Sequence, residues 1–461
     1  MLTMALTPAQ VLGAKEWNKI IKSNVSNAIG SKLDGEFIAA NYAPGFNYAV
    51  KQQYYNKDSL SAFNTLLAES DGIPVIRDVY SELYKNVVGS LEYGISKADQ
   101  IKINQEEQAQ EALVGTIINL YAESDLDDDP KDHPAIIYIM GKIKEVTGSD
   151  YLHLDTKMYP SLSNLCNKLS EYSRLASFTA SLQNEWSGVF DRIQKIKENI
   201  TDPSKENGGL ETAKNEFCIG WDKLPETETL KNDLENEGSS IEFSISTNHF
   251  ESSQSVLHFE SDVSVTVPFN WIFNMKIDHE HEFDFSKYCS KSSSLDIAFK
   301  FIGVSTVAAV PAPISSNNEK GWFAAEMLKE AAEKSAKDAT GVRLHGGRYD
   351  PDKLFGKDGL LRRISTMVIS QQPIITLTFS NFEASELYTY FQQHTNVKFN
   401  ILGGLISGEH DNDFSCTDYN YDSSGNTLTV TLTPAPLGST GSLGKQTAYV
   451  LGGTAEYFPR G

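Results

Sequence analysis

The chain has 461 residues, 40% of them hydrophobic, and carries 40 lysines and arginines against 61 aspartates and glutamates, a formal charge of −21. That composition excludes wholesale disorder, and its acidity excludes the broad cationic face that nucleic acid requires. The acidity is shared, −12 over residues 1–236 and −9 over residues 237–461, so no basic domain hides in the average.

The opening stretch has no charged n-region and meets Pro8 before any apolar run of export-signal length. No Sec signal is therefore expected, and the protein is expected in the cytoplasm when made, leaving by a non-classical route if it is released. The longest apolar runs, residues 136–140 and 304–314, fall short of the roughly 18 residues of a spanning helix. Cys166, Cys218, Cys289 and Cys416 are widely spaced, which predicts reduced thiols and gives no zinc-finger or redox pair.

Thr7-Pro8 is a cap and first-turn signal, after which Val11, Trp17, Ile21, Val25 and Ile29 recur near a helical period. Residues 41–55, broken by Pro44-Gly45, read as a connection, and Asp58 caps a short helix carrying Leu60, Phe63, Leu66 and Leu67. Pro74 opens a longer helical pattern through Val79, Leu83, Val87, Leu91, Ala98 and Ile101, continuing to Leu113, Ile117 and Leu120. A second follows Pro160, in which Leu162, Leu165, Leu169, Ala176, Leu182, Trp186, Val189, Ile193 and Ile200 keep a helix seam. Helices of this length predict an elongated antiparallel bundle. Asn207-Gly208-Gly209 punctuates its end, and further helix reaches Glu237-Gly238.

At Gly238 the period changes. Ile241, Phe243, Ile245, then Leu257, Phe259, then Leu295, Ile297, Phe299 and Phe301 fall on odd numbers, the signature of strands with one buried face. The expected fold is thus α+β. An N-terminal antiparallel helical bundle over residues 1–236 precedes a β-rich sheet or sandwich domain over residues 237–461. A helical insert is expected near residues 322–337, and a Gly-rich loop with basic residues over 341–359.

Residues 263–285 keep the alternation far longer than a strand of about five or six residues. Val263, Val265, Val267, Phe269, Trp271 and Phe273 form one apolar face, with Ser264, Thr266, Asn270 and Asn274 opposite, and Pro268 marks an edge or a turn. Two readings fit: successive strands of a sandwich, or an amphipathic ribbon like those that line membrane β-barrels. Val307 and Val310, in the apolar segment before Pro311, belong either to a greasy loop tip or to a buried strand stopped by proline. A helical half ahead of a β-rich half is similar in outline to insecticidal crystal toxins and related pore formers. The resemblance is one of organisation, with no shared sequence block and no long central apolar helix.

Three clusters carry chemical possibilities. His279 and His281, in Asp278-His279-Glu280-His281-Glu282, would point the same way on a strand and could share a metal ion, although spacing supplies no third ligand. They equally continue the apolar face at a solvated strand end, or form a pH switch. The acidic run at residues 125–129 starts like a calcium loop but has Pro130 where glycine is needed and Ile136 where a glutamate belongs. A second acidic cluster surrounds His410-Asp411-Asn412-Asp413. Arg343 and Arg348 in the Gly-rich loop are anion-binding candidates, with interleaved acids favouring a charge-balanced surface loop.

No nucleophile elbow or triad context is present. The expectation is a non-enzymatic assembling protein, a pore-forming or membrane-active toxin whose strands over residues 241–310 take part in assembly. The alternative is a self-associating scaffold without membrane activity, and a third reading is a metal-dependent enzyme using His279 and His281. Expected partners are further copies of the chain and a membrane or receptor; neither nucleic acid nor a cofactor is expected.

Overall fold

The computed structural model describes residues 6–29, 37–47, 60–61, 63–70, 73–124, 126, 135–224, 227–235, 239–251, 253–277, 281–282, 284–335, 337–345, 348–371, 373–393, 396–404, 406–407, 414–434 and 447–457. Helix and sheet are mixed in the α+β manner.

In chain order the elements begin with α1 (Pro8–Ile29), β1 (Phe37–Asn47), β2 (Thr65–Ser70), β3 (Ile73–Val79), α2 (Tyr80–Val88) and β4 (Leu91–Gly94). Four helices follow: α3 (Lys97–Ala122), α4 (Ile136–Thr147), α5 (Ser163–Leu175) and α6 (Ser177–Thr201). Then come β5 (Leu210–Ala213), β6 (Glu216–Cys218), β7 (Trp221–Asp222), α7 (Thr227–Leu234), β8 (Ile241–Glu251), β9 (Gln254–His258), β10 (Ser264–Pro268), α8 (Phe269–Ile272), β11 (Phe273–Ile277) and β12 (His281–Glu282). After β13 (Ser294–Phe301), β14 (Ser305–Ala308) and β15 (Val310–Pro311) lie α9 (Ala325–Lys334), β16 (Gly341–Leu344) and α10 (Pro351–Leu354). The remainder is β17 (Arg362–Ser370), β18 (Ile374–Ser380), α11 (Ala384–Gln393), β19 (Asn396–Ile401), β20 (Ile406–Ser407), β21 (Phe414–Asp422), β22 (Thr427–Pro434) and β23 (Thr447–Tyr457).

The segment expected as a helical bundle also contributes β1 to β7. The stretch expected to connect, residues 41–55, begins inside a strand: β1 tolerates Pro44, which cannot donate to a ladder, because its register against β23 shifts on either side of that proline. Pro74 opens a strand rather than a helix, and the helical period resumes only at Tyr80. The chain divides by contacts into one unit of residues 1–87, 196–324 and 352–460, and another of residues 88–195, 325–351 and 461. The change of period near Gly238 falls inside the first.

That first unit holds two large antiparallel sheets. One runs β1-β23-β17-β2-β3, with β14 also on β17. The other runs β10-β9-β8-β13-β18-β22-β21-β19-β11-β12, with β20 on β19. Only the four residues of α8 separate β10 from β11, yet seven strands lie between them in the pairing order. Flat, eight strand spacings would place them about 38 Å apart at ~4.8 Å each, whereas the connecting chain reaches at most about 18 Å. The sheet must therefore curl. Val265 and Val267 at one end and Phe273 and Met275 at the other accordingly join a single apolar cluster with Phe243, Phe299 and Phe379. Helix α1 is laid into this core by Trp17, whose ring meets Phe243 and Phe299 edge-on with centroids 5.2 Å away in each case.

Because the inward residues alternate with outward ones, the pairing registers line up a second set on the opposite face. Ser264, His258, Ser246, Asp296, Thr378, Thr429 and Asn420 are successive cross-strand partners over seven strands. Ser294, Ser380, Thr427 and Asp422 form a parallel row.

The second unit has its own core, Ile117, Tyr121, Ile139, Ile143, Leu165 and Leu169, where α3, α4 and α5 meet. Ser96 caps α3 by accepting the Asp99 N–H at 3.1 Å, and Gly148, at φ 73°, ends α4 in the left-handed conformation. The pattern after Pro160, expected as one helix, breaks at Ala176 into α5 and α6. Glu106 on α3 explains the break, since its carboxylate accepts the Thr179 N–H at 3.0 Å and hydroxyl at 2.7 Å and so caps the new N-terminus.

Candidate functional site

The apolar face over residues 263–273 is turned into the core of the curled sheet. Val265, Val267, Trp271 and Phe273 are buried and Val263 and Phe269 partly so, and the expected single ribbon is interrupted by α8. Its long phase arises because β10, at one end of the sheet, and β11, next to the last strand at the other, are separate strands, each obliged to face the same core. Val307, on β14 against β17, is buried, while Val310 is half-buried on β15 against β7.

His279 lies outside the described residues, as do residues 127–130 and the cluster at 410–413. For His281 the backbone alone is described, paired with Ile277. Among the described residues no group of three or more His, Cys, Asp or Glu side chains is placed to hold a metal ion, and no helix is long and apolar enough to cross a membrane.

The stretch expected as a basic loop starts as strand β16, antiparallel to β4. Arg343 therefore faces Glu92, with Nε donating at 3.0 Å to a carboxylate oxygen, and His345 Nδ1 contacts the other oxygen. Burial opposes ionisation of Glu92, but the hydrogen bonds from His345 and Arg343 outweigh it and hold the carboxyl below its ordinary range. A Cβ on Gly94 would lie 2.1 Å from Arg343 Nε, so a larger residue there would displace the arginine from its place across the strand. Arg348 is exposed, with its guanidinium 6.0 Å from the Tyr349 ring.

A second cation sits in the first unit's interior. Arg363 is 3% exposed; Nη1 donates to the Ala309 and Ile364 carbonyls at 3.2 and 3.0 Å, and Nη2 pairs with Glu456. The same unit also buries an aromatic group of Tyr80, Tyr84, Trp221, Trp322 and Phe323. Trp322 donates to the Gly220 carbonyl at 2.7 Å, and the Tyr84 hydroxyl accepts the Ala324 N–H at 2.7 Å. Burial pushes both tyrosine hydroxyls well above their usual range. These contacts are mutual and fix β7, α2 and residues 322–324 to one another.

The helical unit presents the opposite arrangement, apolar groups facing water. On α6, Leu182 and Ile193 of the seam are buried, but Trp186 and Phe190 between them are 54% and 48% exposed. The two rings stack at 5.9 Å with 17° between planes. Ile137 and Met158 in the same unit are more exposed still. Sequence periodicity placed Trp186 in a covered seam; pattern alone does not tell a seam that meets a partner helix from one that does not. Comparison with family models, curated proteins and solved structures finds no match for the chain.

Proposed function

We propose that the protein acts by assembly, associating with further copies of itself through the helical unit. The observation that carries this reading is the stacked, solvent-facing Trp186–Phe190 pair, because large aromatic groups left in water within an otherwise covered seam are the usual anchors of an interface. The elongated bundle as scaffold and the sandwich form of the curled sheet belong to the same proposal. So does the membrane-active form, in which strands over residues 241–310 leave the core on assembly. That step must extract Val265, Val267 and Phe273, each costing about 1.5–3 kcal/mol of lost burial, so it needs a membrane to receive them.

Sedimentation velocity on the full chain and on a Trp186→Ser/Phe190→Ser double variant tests the reading. Concentration-dependent oligomers are expected for the parent and a monomer for the variant; a parent that stays monomeric, or oligomers untouched by the variant, would overturn it. Dye release from anionic and neutral liposomes between about pH 5 and about pH 8 separates the two forms. Leakage that the double variant loses supports the membrane-active form, and oligomers without leakage confine the protein to self-association.

A further inference from the structure

On the outward face of the large curled sheet, where β8, β13 and β18 pair, lies a shallow groove of about 410 Å³. We propose that this groove is a binding site for a neutral carbohydrate. Its floor is Ala298, whose cross-strand partners are Ser244 on one side and Thr376 on the other. The neighbouring row is taller, with Glu242, Lys300 and Ile374 in register, and Glu260 from the turn between β9 and β10 closes the far wall. A methyl group set between longer neighbours makes the depression.

The chemistry selects among ligands. Glu242 is held by Lys300 at 2.7 Å, and one Glu260 oxygen accepts the Ser244 N–H at 3.1 Å. Two carboxylates against one ammonium leave the groove without the cationic excess that a phosphate or sulfate needs. Carboxylate oxygens and the Ser244 and Thr376 hydroxyls instead suit a ligand whose own hydroxyls both donate and accept. Ala298 and Ile374 offer apolar surface to the C–H faces such a ligand also carries.

The groove opens onto the hydroxyl-bearing rows of the same face. Thr378 and Thr429 lie one row over, and Thr431 pairs directly with Thr376. Side chains of one rotatable bond on a hydrogen-bonded sheet lose little freedom when they bind, so a chain of sugar units running across the strands would meet a preorganised surface. This inference does not depend on the Trp186–Phe190 association face, since all its residues lie in the other unit.

Saturation-transfer NMR and calorimetry on the full chain, with maltotetraose, cellotetraose, chitotetraose and mannotetraose as probes, test it. At least one should bind with a dissociation constant of about 1 mM or tighter, the range open to a shallow groove. Ala298→Leu, which fills the floor, and Thr376→Val, which removes a hydroxyl at constant volume, should each weaken that binding about tenfold, while Asn317→Ala should not. Circular dichroism identifies any variant that fails to fold, and the other groove variant then decides. No binding by any of the four sugars overturns the proposal, as does binding that both variants leave unchanged. Capture of spermine or inorganic phosphate in place of sugar would likewise overturn it.

Discussion

Glu16 shows how one buried polar side chain fixes a helix. It lies on α1 facing the core, where Lys19 pairs with one carboxylate oxygen and the Ser261 hydroxyl donates to the other at 2.9 Å. Burial raises the cost of its charge, but the bonds from Lys19 and Ser261 outweigh that and hold the carboxyl below its ordinary 4.5. A carboxyl depressed in the folded state contributes stability above its unfolded value and loses it as pH falls through the folded one. Glu16→Gln should therefore destabilise the protein by about 1–3 kcal/mol at neutral pH. In urea unfolding series the gap between parent and variant should close as pH drops below the ordinary carboxyl range. A gap that persists in acid would show that shape, not charge, holds the helix.

Glu106 plays the corresponding part between elements, capping α6 from α3. Glu106→Ala should cost about 1–2 kcal/mol, read as a lower urea midpoint with an unchanged slope. The same residue shows what the sequence could and could not disclose. The seam from Leu162 to Ile200 was legible as helix because its spacing is local, but the break at Ala176 depends on a carboxylate some seventy positions upstream. Strands β8, β9, β10 and β13 were legible because each buries one face and therefore alternates. Strand β3 was hidden because Val79, Leu83 and Val87 carry a helical spacing across its end, and β1 because Pro44 reads as a breaker unless a register shift is known. Residues 366–379 hold parts of two strands in different sheets, β17 and β18, a division that their shared alternation conceals. The groove over Ala298 left no trace at all, since Ser244, Ala298 and Thr376 become neighbours only through the registers of three strands. Over residues 263–273 the alternation describes β10, but it does not continue as one strand: α8 intervenes and buries Ile272 beside Trp271.

At the scale of the molecule, the pairing of β1 with β23 carries a consequence for the order of events during folding. Phe37 is the partner of Thr454, so almost the entire chain must be looped before that ladder can close, and β17 completes its own pairing through the same strand. Closing so long a loop is entropically expensive and is rewarded late, whereas α3, α4 and α5 meet through neighbours close in sequence. In pulse-labelled hydrogen exchange during refolding, amides of α3 to α5 should gain protection before those of β1 and β23. Simultaneous protection would mean that the two units form as one cooperative step. Until β23 arrives, β1 and β17 each present an open ladder edge, and that interval is when the chain is most exposed to pairing with a neighbour instead of with itself.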